Sequence, residues 1–371
     1  MLARYSRGVA AHKLSIIVPV FNTGEYLRTR AFPSLVRLPR FEQIHVHLID
    51  DGSTYSETRD AVSELAAAHL NVTAFFHEPG GSGSASRPRN TGIDLSDTEF
   101  LGFLDPDDEF LGSGPWPLVE ALEAHPSAEL AIGQQQRIYG DRTEQVNNVS
   151  HYTRRRHASG AWPAGGDVLT SAQFRPTNLS SFLVRTAWLK EKGLRQVVGA
   201  VGQDSLFFRQ VFAAASAFVP SAEKIYAYHA ETPGSMVNTV TADYFAKCLV
   251  RERAQVDWLR SAGLFDDYVE SGFERSFAWY LPRLRRMPKD RREEARAILR
   301  TIAELYVKPE EHRWRYPEAM AFFRRPSVPS LEGLKPLSGV AKRRARKTAE
   351  AAVAAGRRFS SSVRTRRHLD Q

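Results

Sequence analysis

Four short apolar runs in the first third of the chain each lead into a polar cluster, and this repeated arrangement limits the fold more than any single residue. Leu14–Phe21 (LSIIVPVF) stops at Asn22, and Ile44–Ile49 (IHVHLI), which alternates apolar residues with histidine, stops at Asp50-Asp51-Gly52-Ser53. Val72–Phe76 precedes the Gly/Ser-rich loop Gly80–Ser86, and Phe100–Leu104 closes on Asp105-Pro106-Asp107-Asp108. Apolar runs of this length, bounded by polar residues, read as buried strands. Between them, Ser56–His69 reads as a helix with Ser56 as its N-cap, and Asn90–Leu95 continues from the Gly/Ser loop. Glu25–Leu38 is also helical in pattern, with Pro33 expected to end or kink it. Strands alternating with helices predict an α/β fold with a mostly parallel sheet, whose ligands bind beyond the strand C-termini. All four polar clusters fall there.

The acidic cluster at 105–108 carries the most chemistry. Three crowded carboxylates repel one another and cost stability unless a cation or a satisfied hydrogen-bond network meets them. Hard divalent cations such as Mg²⁺ or Mn²⁺ take oxygen ligands and leave positions open for substrate phosphates. A solvated acidic turn is the alternative reading of the same residues.

Composition narrows the class. The chain has 371 residues, 42% hydrophobic and 25% charged, as in ordinary globular proteins, and is long enough for an α/β domain plus a second unit. A single cysteine, Cys248, excludes an internal disulfide framework and removes His-Cys metal spacings. No apolar stretch reaches the roughly 18–20 residues of a membrane span, and Met1–Lys13 is too short and polar for a secretory signal. The expected location is cytoplasmic. The net charge of +9 is concentrated: Gly333–Gln371 holds eleven Lys/Arg against Glu350 and Asp370, which leaves the remainder close to neutral. A near-neutral body argues against nucleic acid as a partner. The basic tail reads as a solvated end, as a peripheral contact with an anionic membrane at its inner face, or as a contact with a polyanionic acceptor.

Further along, Trp116–His125 reads as helix and Leu130–Tyr139 as extended chain. Arg142–Gly160 reads as an irregular polar loop carrying Arg154-Arg155-Arg156. Leu183–Lys192 and Asp204–Ala215 return to strand and helix. From Ala242 to Leu305 the pattern is helical, with Trp258, Phe265, Phe273, Phe277 and Trp279 as core candidates; Pro326–Pro336 is a linker by composition. The Gly80–Ser86 loop lacks the Gly-Lys-Ser/Thr of a phosphate-binding loop and the Gly-x-Gly-x-x-Gly spacing.

Four pieces in fixed order resemble the family-2 glycosyltransferases of GT-A fold, whose N-terminal half reads IVPVYN…DDGSTD…ARNxG…DxDD. Here they are Ile17-Val18-Pro19-Val20-Phe21-Asn22, Asp50-Asp51-Gly52-Ser53-Thr54, Arg89-Asn90-Thr91-Gly92 and Leu104-Asp105-Pro106-Asp107-Asp108. Gly202-Gln203-Asp204-Ser205-Leu206-Phe207 is similar to the family's GEDxxF segment, and Tyr228-His229 followed by Gly234-Ser235 to its YRxH…GS ending.

The resemblance implies a nucleotide-sugar pocket in which Pro19 and Phe21 line the base, Phe21 standing where the family usually has Tyr. It places the uracil contact on Asp51, with Asp50 as support, and a nucleotide or diphosphate contact on Arg89. A salt bridge from Arg89 to Asp105 is the alternative. Asn90 and Gly92 shape the turn into the helix. Asp105 would hold ribose and metal-bound water, Asp107 the divalent cation (Mn or Mg), and Ser235 the donor. His229 is a third ligand or diphosphate contact, or else a hydrogen-bonded core residue. Asp204 is the expected catalytic base, with a helix N-cap as its alternative and Asp108 as the next candidate base. Gln203 and Pro79 depart from the family, which has an acid and an Asn at these places.

These residues predict a GT-A domain over 12–240, a helical region over 241–325 and a linker with basic tail over 326–371. The expected activity is metal-dependent, inverting transfer of a hexosyl or N-acetylhexosaminyl group from a nucleotide sugar, UDP favoured. The acceptor would be a polysaccharide, a teichoic-acid-like polyol phosphate or a lipid-linked glycan. A nucleotidyltransferase of related fold and a non-catalytic glycan- or polyanion-binding protein are the alternatives.

Overall fold

The computed structural model describes residues 12–153, 160–232 and 240–324. The described residues form one sheet of ten strands: β1 (Leu14–Val20), β2 (Ile44–Asp50), β3 (Val72–Phe76), β4 (Phe100–Phe103), β5 (Glu109–Phe110), β6 (Leu130–Tyr139), β7 (Arg142–Val146), β8 (Trp162–Pro163), β9 (Phe182–Arg185) and β10 (Ala217–His229). Its order is β3-β2-β1-β4-β9-β6-β10-β5, with β7 beside β6 and β8 beside β10. β1 pairs parallel with β2 and β4, β2 with β3, and β6 with β10. β9 is antiparallel to both β4 and β6, so these two run the same way. The C-terminal ends of β1, β2, β3, β4, β6 and β10 therefore open on one edge. That edge gathers Asn22, Asp51, Asp105 and His229.

β1 is an unbroken apolar run because both of its faces are covered, and all seven of its residues are buried. α1 (Ser56–Ala68), α2 (Ser86–Leu95), α3 (Trp116–Ala124) and α4 (Gln203–Ala214) are the main helices of this half. α2 lies flat on β1 because Gly92 has no side chain; a Cβ there would stand 2.4 Å from Ile17 Cγ2. α5 (Ala242–Ser261), α6 (Tyr280–Arg286) and α7 (Arg292–Glu304) lead the helical region that follows. No helix among the described residues is long and apolar enough to cross a membrane.

Local expectations fail at four places. Pro33 does not stop its helix: Leu27–Ala31 widen into a π-turn, and Phe32–Val36 continue beyond it. The wider turn absorbs the proline ring and its missing N–H. Ser56 is the first helical residue of α1 rather than its cap, since Asn22 Oδ1 takes the N–H groups of Thr54 and Tyr55 and sets the entry. Arg142–Val146, expected as loop, is β7 paired antiparallel with β6; its exposed polar residues hid the strand. Trp279, expected in the core, is 42% exposed, whereas Phe273 and Phe277 are buried. Arg154–Arg156, Ser235, the linker and the basic tail lie outside the described residues.

Candidate active site

The Asp50–Ser53 turn is built for rigidity. Asp50 is fully buried, accepts the Ser53 hydroxyl and backbone N–H, and stands 3.6 Å from Arg59. Ser53 Oγ in turn takes the N–H of Asn22, whose φ of +54° turns the chain sharply after β1. Gly52 (φ +82°) is obligatory, because a Cβ would sit 2.0 Å from the Glu78 carbonyl oxygen. This scaffold aims Asp51 into the loop that follows β3. Ser82 donates both its N–H and its hydroxyl to Asp51 Oδ2 at 2.8 Å, and Arg87 Nε donates to Oδ1 at 2.7 Å. Phe21 stands beside this group, 42% exposed and in contact with Gly81, as a flat apolar surface next to a held carboxylate. Pro19 is buried in β1 immediately behind it.

Arg87 and Arg89 leave the first turn of α2 in different directions. Arg87 reaches Asp51, while Arg89, only 4% exposed, pairs with Asp105 and donates to Gln196 Oε1 at 3.3 Å. The ion pair that the sequence offered as an alternative is thus present, and one further atom, Arg89 Nε, is buried without a partner. Asn90 locks the approaching 194–202 segment by exchanging two hydrogen bonds with the Gln196 backbone, at 2.8 and 2.9 Å.

The three acids after β4 have separate fates. Asp105 meets Arg89. Burial, followed by the like charge of Asp105, pushes the Asp107 carboxyl up to about 6. Arg30, from the helical stretch after β1, donates to the Asp107 carbonyl at 2.5 Å and steadies the turn. Asp108 is buried, accepts from the Tyr226 phenol and from the His229 N–H at 2.8 Å, and fastens the turn to β10. Burial and its two neighbouring carboxylates hold Asp108 well above the usual carboxylate range. With both oxygens engaged, it serves as a fastener and is poorly placed to collect a substrate proton. The His229 ring meets Glu109 Oε1 at 3.1 Å.

Asp204 differs from all of these. It lies in the first turn of α4, whose cap is Gly202, and its carboxylate caps no backbone N–H. It is half-buried, and no described residue donates a hydrogen bond to it. A carboxylate without a donor is free to accept a proton.

Among the described residues, no three His, Cys, Asp or Glu side chains converge as a metal cage. The donors present nevertheless suit a hard cation: Asp107 is a desolvated carboxyl facing a second acid, and its charged form is unfavourable without a positive partner. Such a site fits a cation whose coordination the substrate's phosphates complete. Sequence reasoning missed Arg87, Ser82, Arg30, Gln196 and Tyr226. A second arginine two residues before Arg89 was a usable signal; the others meet the site only through the fold.

Comparison with known proteins agrees with this arrangement. Residues 15–179 match the model of glycosyl transferase family 2. The chain is similar to the poly(ribitol-phosphate) β-N-acetylglucosaminyltransferase TarP of Staphylococcus aureus, 34% identical over 97 residues, which are 26% of this chain and 28% of that protein. It is similar to the succinoglycan biosynthesis protein ExoW of Rhizobium meliloti, 33% identical over 98 residues, 26% of this chain and 30% of that protein. The matches thus span less than a third of these relatives. The fold resembles the crystal structure of S. aureus TarS 1–349 in complex with UDP-GlcNAc, with a TM-score of 0.61, 18% identity, and coverage of 80% of this chain and 82% of that one. A parallel-dominated sheet with its acidic turns on one edge, a matching family model and a shared architecture lead to one assignment: residues 15–179 belong to glycosyl transferase family 2, on a GT-A fold.

Proposed function

We propose that the chain transfers a hexosyl or N-acetylhexosaminyl group from a nucleotide sugar, UDP favoured, to a hydroxyl of a polysaccharide, teichoic-acid-like or lipid-linked glycan acceptor. The observation that carries this reading is the donor-free Asp204 carboxylate, in a chain whose other site acids are paired or desolvated. In this reading 12–240 is the transferase domain, 241–325 a helical region, and 326–371 a linker and basic tail.

Phe21 and Pro19 border the base, and Asp51, oriented by Ser82 and Arg87, accepts its imide N–H. Asp105, held by Arg89, faces the ribose. Asp107 is the residue that would hold Mn²⁺ or Mg²⁺, and His229 joins it only by giving up Glu109. When bound, the cation neutralises charge on the departing diphosphate. Asp204 takes the proton of the acceptor hydroxyl as that oxygen attacks the anomeric carbon from the face opposite the nucleotide, which inverts the configuration. Ser235 completes the donor pocket in this proposal. The crystal structures of TarS with UDP-GlcNAc and with UDP support a uridine donor.

The test is nucleotide release from UDP-, GDP- and dTDP-sugars with Mn²⁺, together with thermal shift, because a ligand that binds only the folded chain raises its melting temperature. Release of UDP with sugar transfer is the expected outcome. Pyrophosphate release would indicate a nucleotidyltransferase, and binding without release a non-catalytic glycan-binding protein.

A further inference from the structure

α6 turns Tyr280, Leu281 and Leu284 into the core. Trp279, Arg283 and Arg286, at i, i+4 and i+7, stand on the opposite face. The Arg283 guanidinium lies over the Trp279 indole, 3.2 Å from the ring centroid. The next turn exposes Lys289 and Arg291, and Arg292 holds it in shape by donating to the Met287 and Arg285 carbonyls at 2.8 and 2.7 Å. From Arg283 to Glu294 there are six cationic side chains against three acids, Asp290, Glu293 and Glu294. Among the described residues, no carboxylate pairs with Arg285, Arg286, Lys289 or Arg291. Burial, and to a lesser degree the neighbouring Arg286, hold Arg283 below the usual arginine range.

Clustered like charges that no carboxylate pairs with contribute nothing to stability, so this face is better explained by an external anion. The geometry points to an anionic lipid bilayer as the partner. This inference is independent of the glycosyltransferase reading. An amphipathic indole favours the membrane–water interface, and arginine and lysine stems bury along acyl chains while their heads reach phosphates. Pro282 and Pro288, both exposed, add apolar surface and carry no backbone N–H that would need a partner in lipid. A flexible polyanion would use the cations and leave the indole idle.

The experiment is cosedimentation of the full chain with phosphatidylcholine vesicles and with vesicles containing phosphatidylglycerol. Binding is expected only to the anionic vesicles, weakening with salt. The variant R285Q/R286Q/K289Q should bind about fivefold more weakly per charge removed, roughly 100-fold in total. Trp279→Ala should bind more weakly than the native chain and lose the blue shift of tryptophan emission that vesicles induce. All four substitutions fall on exposed residues, and the melting temperature should stay at the native value. Triple-variant binding within about twofold of native would overturn the proposal and leave the basic tail as the contact. So would absence of native binding, or binding of soluble polyphosphate that depends on the three cations but not on Trp279.

Discussion

Tyr226 donates its phenolic hydrogen to Asp108, and both side chains are buried. The bond, together with the His229 N–H that Asp108 also accepts, ties the acidic turn after β4 to β10, the strand that ends at His229, and so fastens the two halves of the site. β5 repeats the link through the backbone, where Tyr226 faces Phe110 and Ala227 faces Glu109.

Tyr226→Phe removes that donor and leaves a buried carboxylate oxygen unmet. The expected cost is about 1–3 kcal/mol, read from the urea midpoint at unchanged slope. A midpoint equal to native would mean that the His229 N–H alone satisfies Asp108.

Asp107 predicts a pH signature. Its folded-state value of about 6 lies above its ordinary 3.8, so between these values the folded state holds the proton more tightly than the unfolded one. The stability Asp107 contributes is therefore full below pH 3.8 and falls as pH rises to about 6. Asp107→Asn should flatten that part of the melting-temperature profile and stabilise the chain at pH 7 by on the order of 3 kcal/mol. The same variant should lose Mn²⁺-dependent stabilisation by UDP. In the native chain that stabilisation should fade below about pH 6, where a proton competes with the cation.

The parallel half of the sheet was legible in the sequence because β1 and β4, buried throughout, read as near-continuous apolar runs, β2 and β3 still read as strands, and each ended near a polar turn. β7 was not, since Arg142–Val146 lies on the surface and shows no apolar alternation. Most of β10 escaped as well: its Pro220 and exposed Ala222–Lys224 interrupt the pattern, and the pairing with β6 shifts register there. Asp51, Asp105 and Asp204 were named by motif, and Arg89 was offered as the partner of Asp105, but Ser82 and Arg87, which hold Asp51, were not foreseen. Arg30 meets Asp107 across 77 residues, and such a contact leaves no local trace. Pro33 does not end its helix, one of the two outcomes expected of it, because a π-turn precedes it and the chain stays helical through Val36.

Glu252 anchors the helical region. It is buried and accepts from Arg251 at 2.6 Å, Tyr280 at 2.5 Å, Tyr306 at 2.6 Å and Gln255 at 3.1 Å. Removing one member of a buried ion pair leaves the other charge uncompensated, so Glu252→Ala should cost about 3–5 kcal/mol. Arg251 also lies against Gly202, where a Cβ would be 3.7 Å from Arg251 Nε, so the start of α4 rests on this network. Transfer per folded molecule should drop together with stability. Denaturation and activity measured on the same preparation check both.

Asp204→Asn separates chemistry from structure. The side chain lies in the first turn of α4, caps no N–H and receives no hydrogen bond from a described residue. Its amide is nearly the same shape and has no proton-accepting carboxylate. Stability should change by no more than the few tenths of a kcal/mol to about one kcal/mol that an acid near a helix N-terminus contributes, so the melting temperature should move little. UDP binding should be unchanged, because none of the proposed donor contacts lies on α4. Sugar transfer should fall by about 10²–10⁴-fold, the usual contribution of a general base. A large drop in melting temperature with transfer preserved would make Asp204 a structural residue. The base would then have to be sought elsewhere, and Asp108 is a poor replacement because both of its oxygens are already bonded.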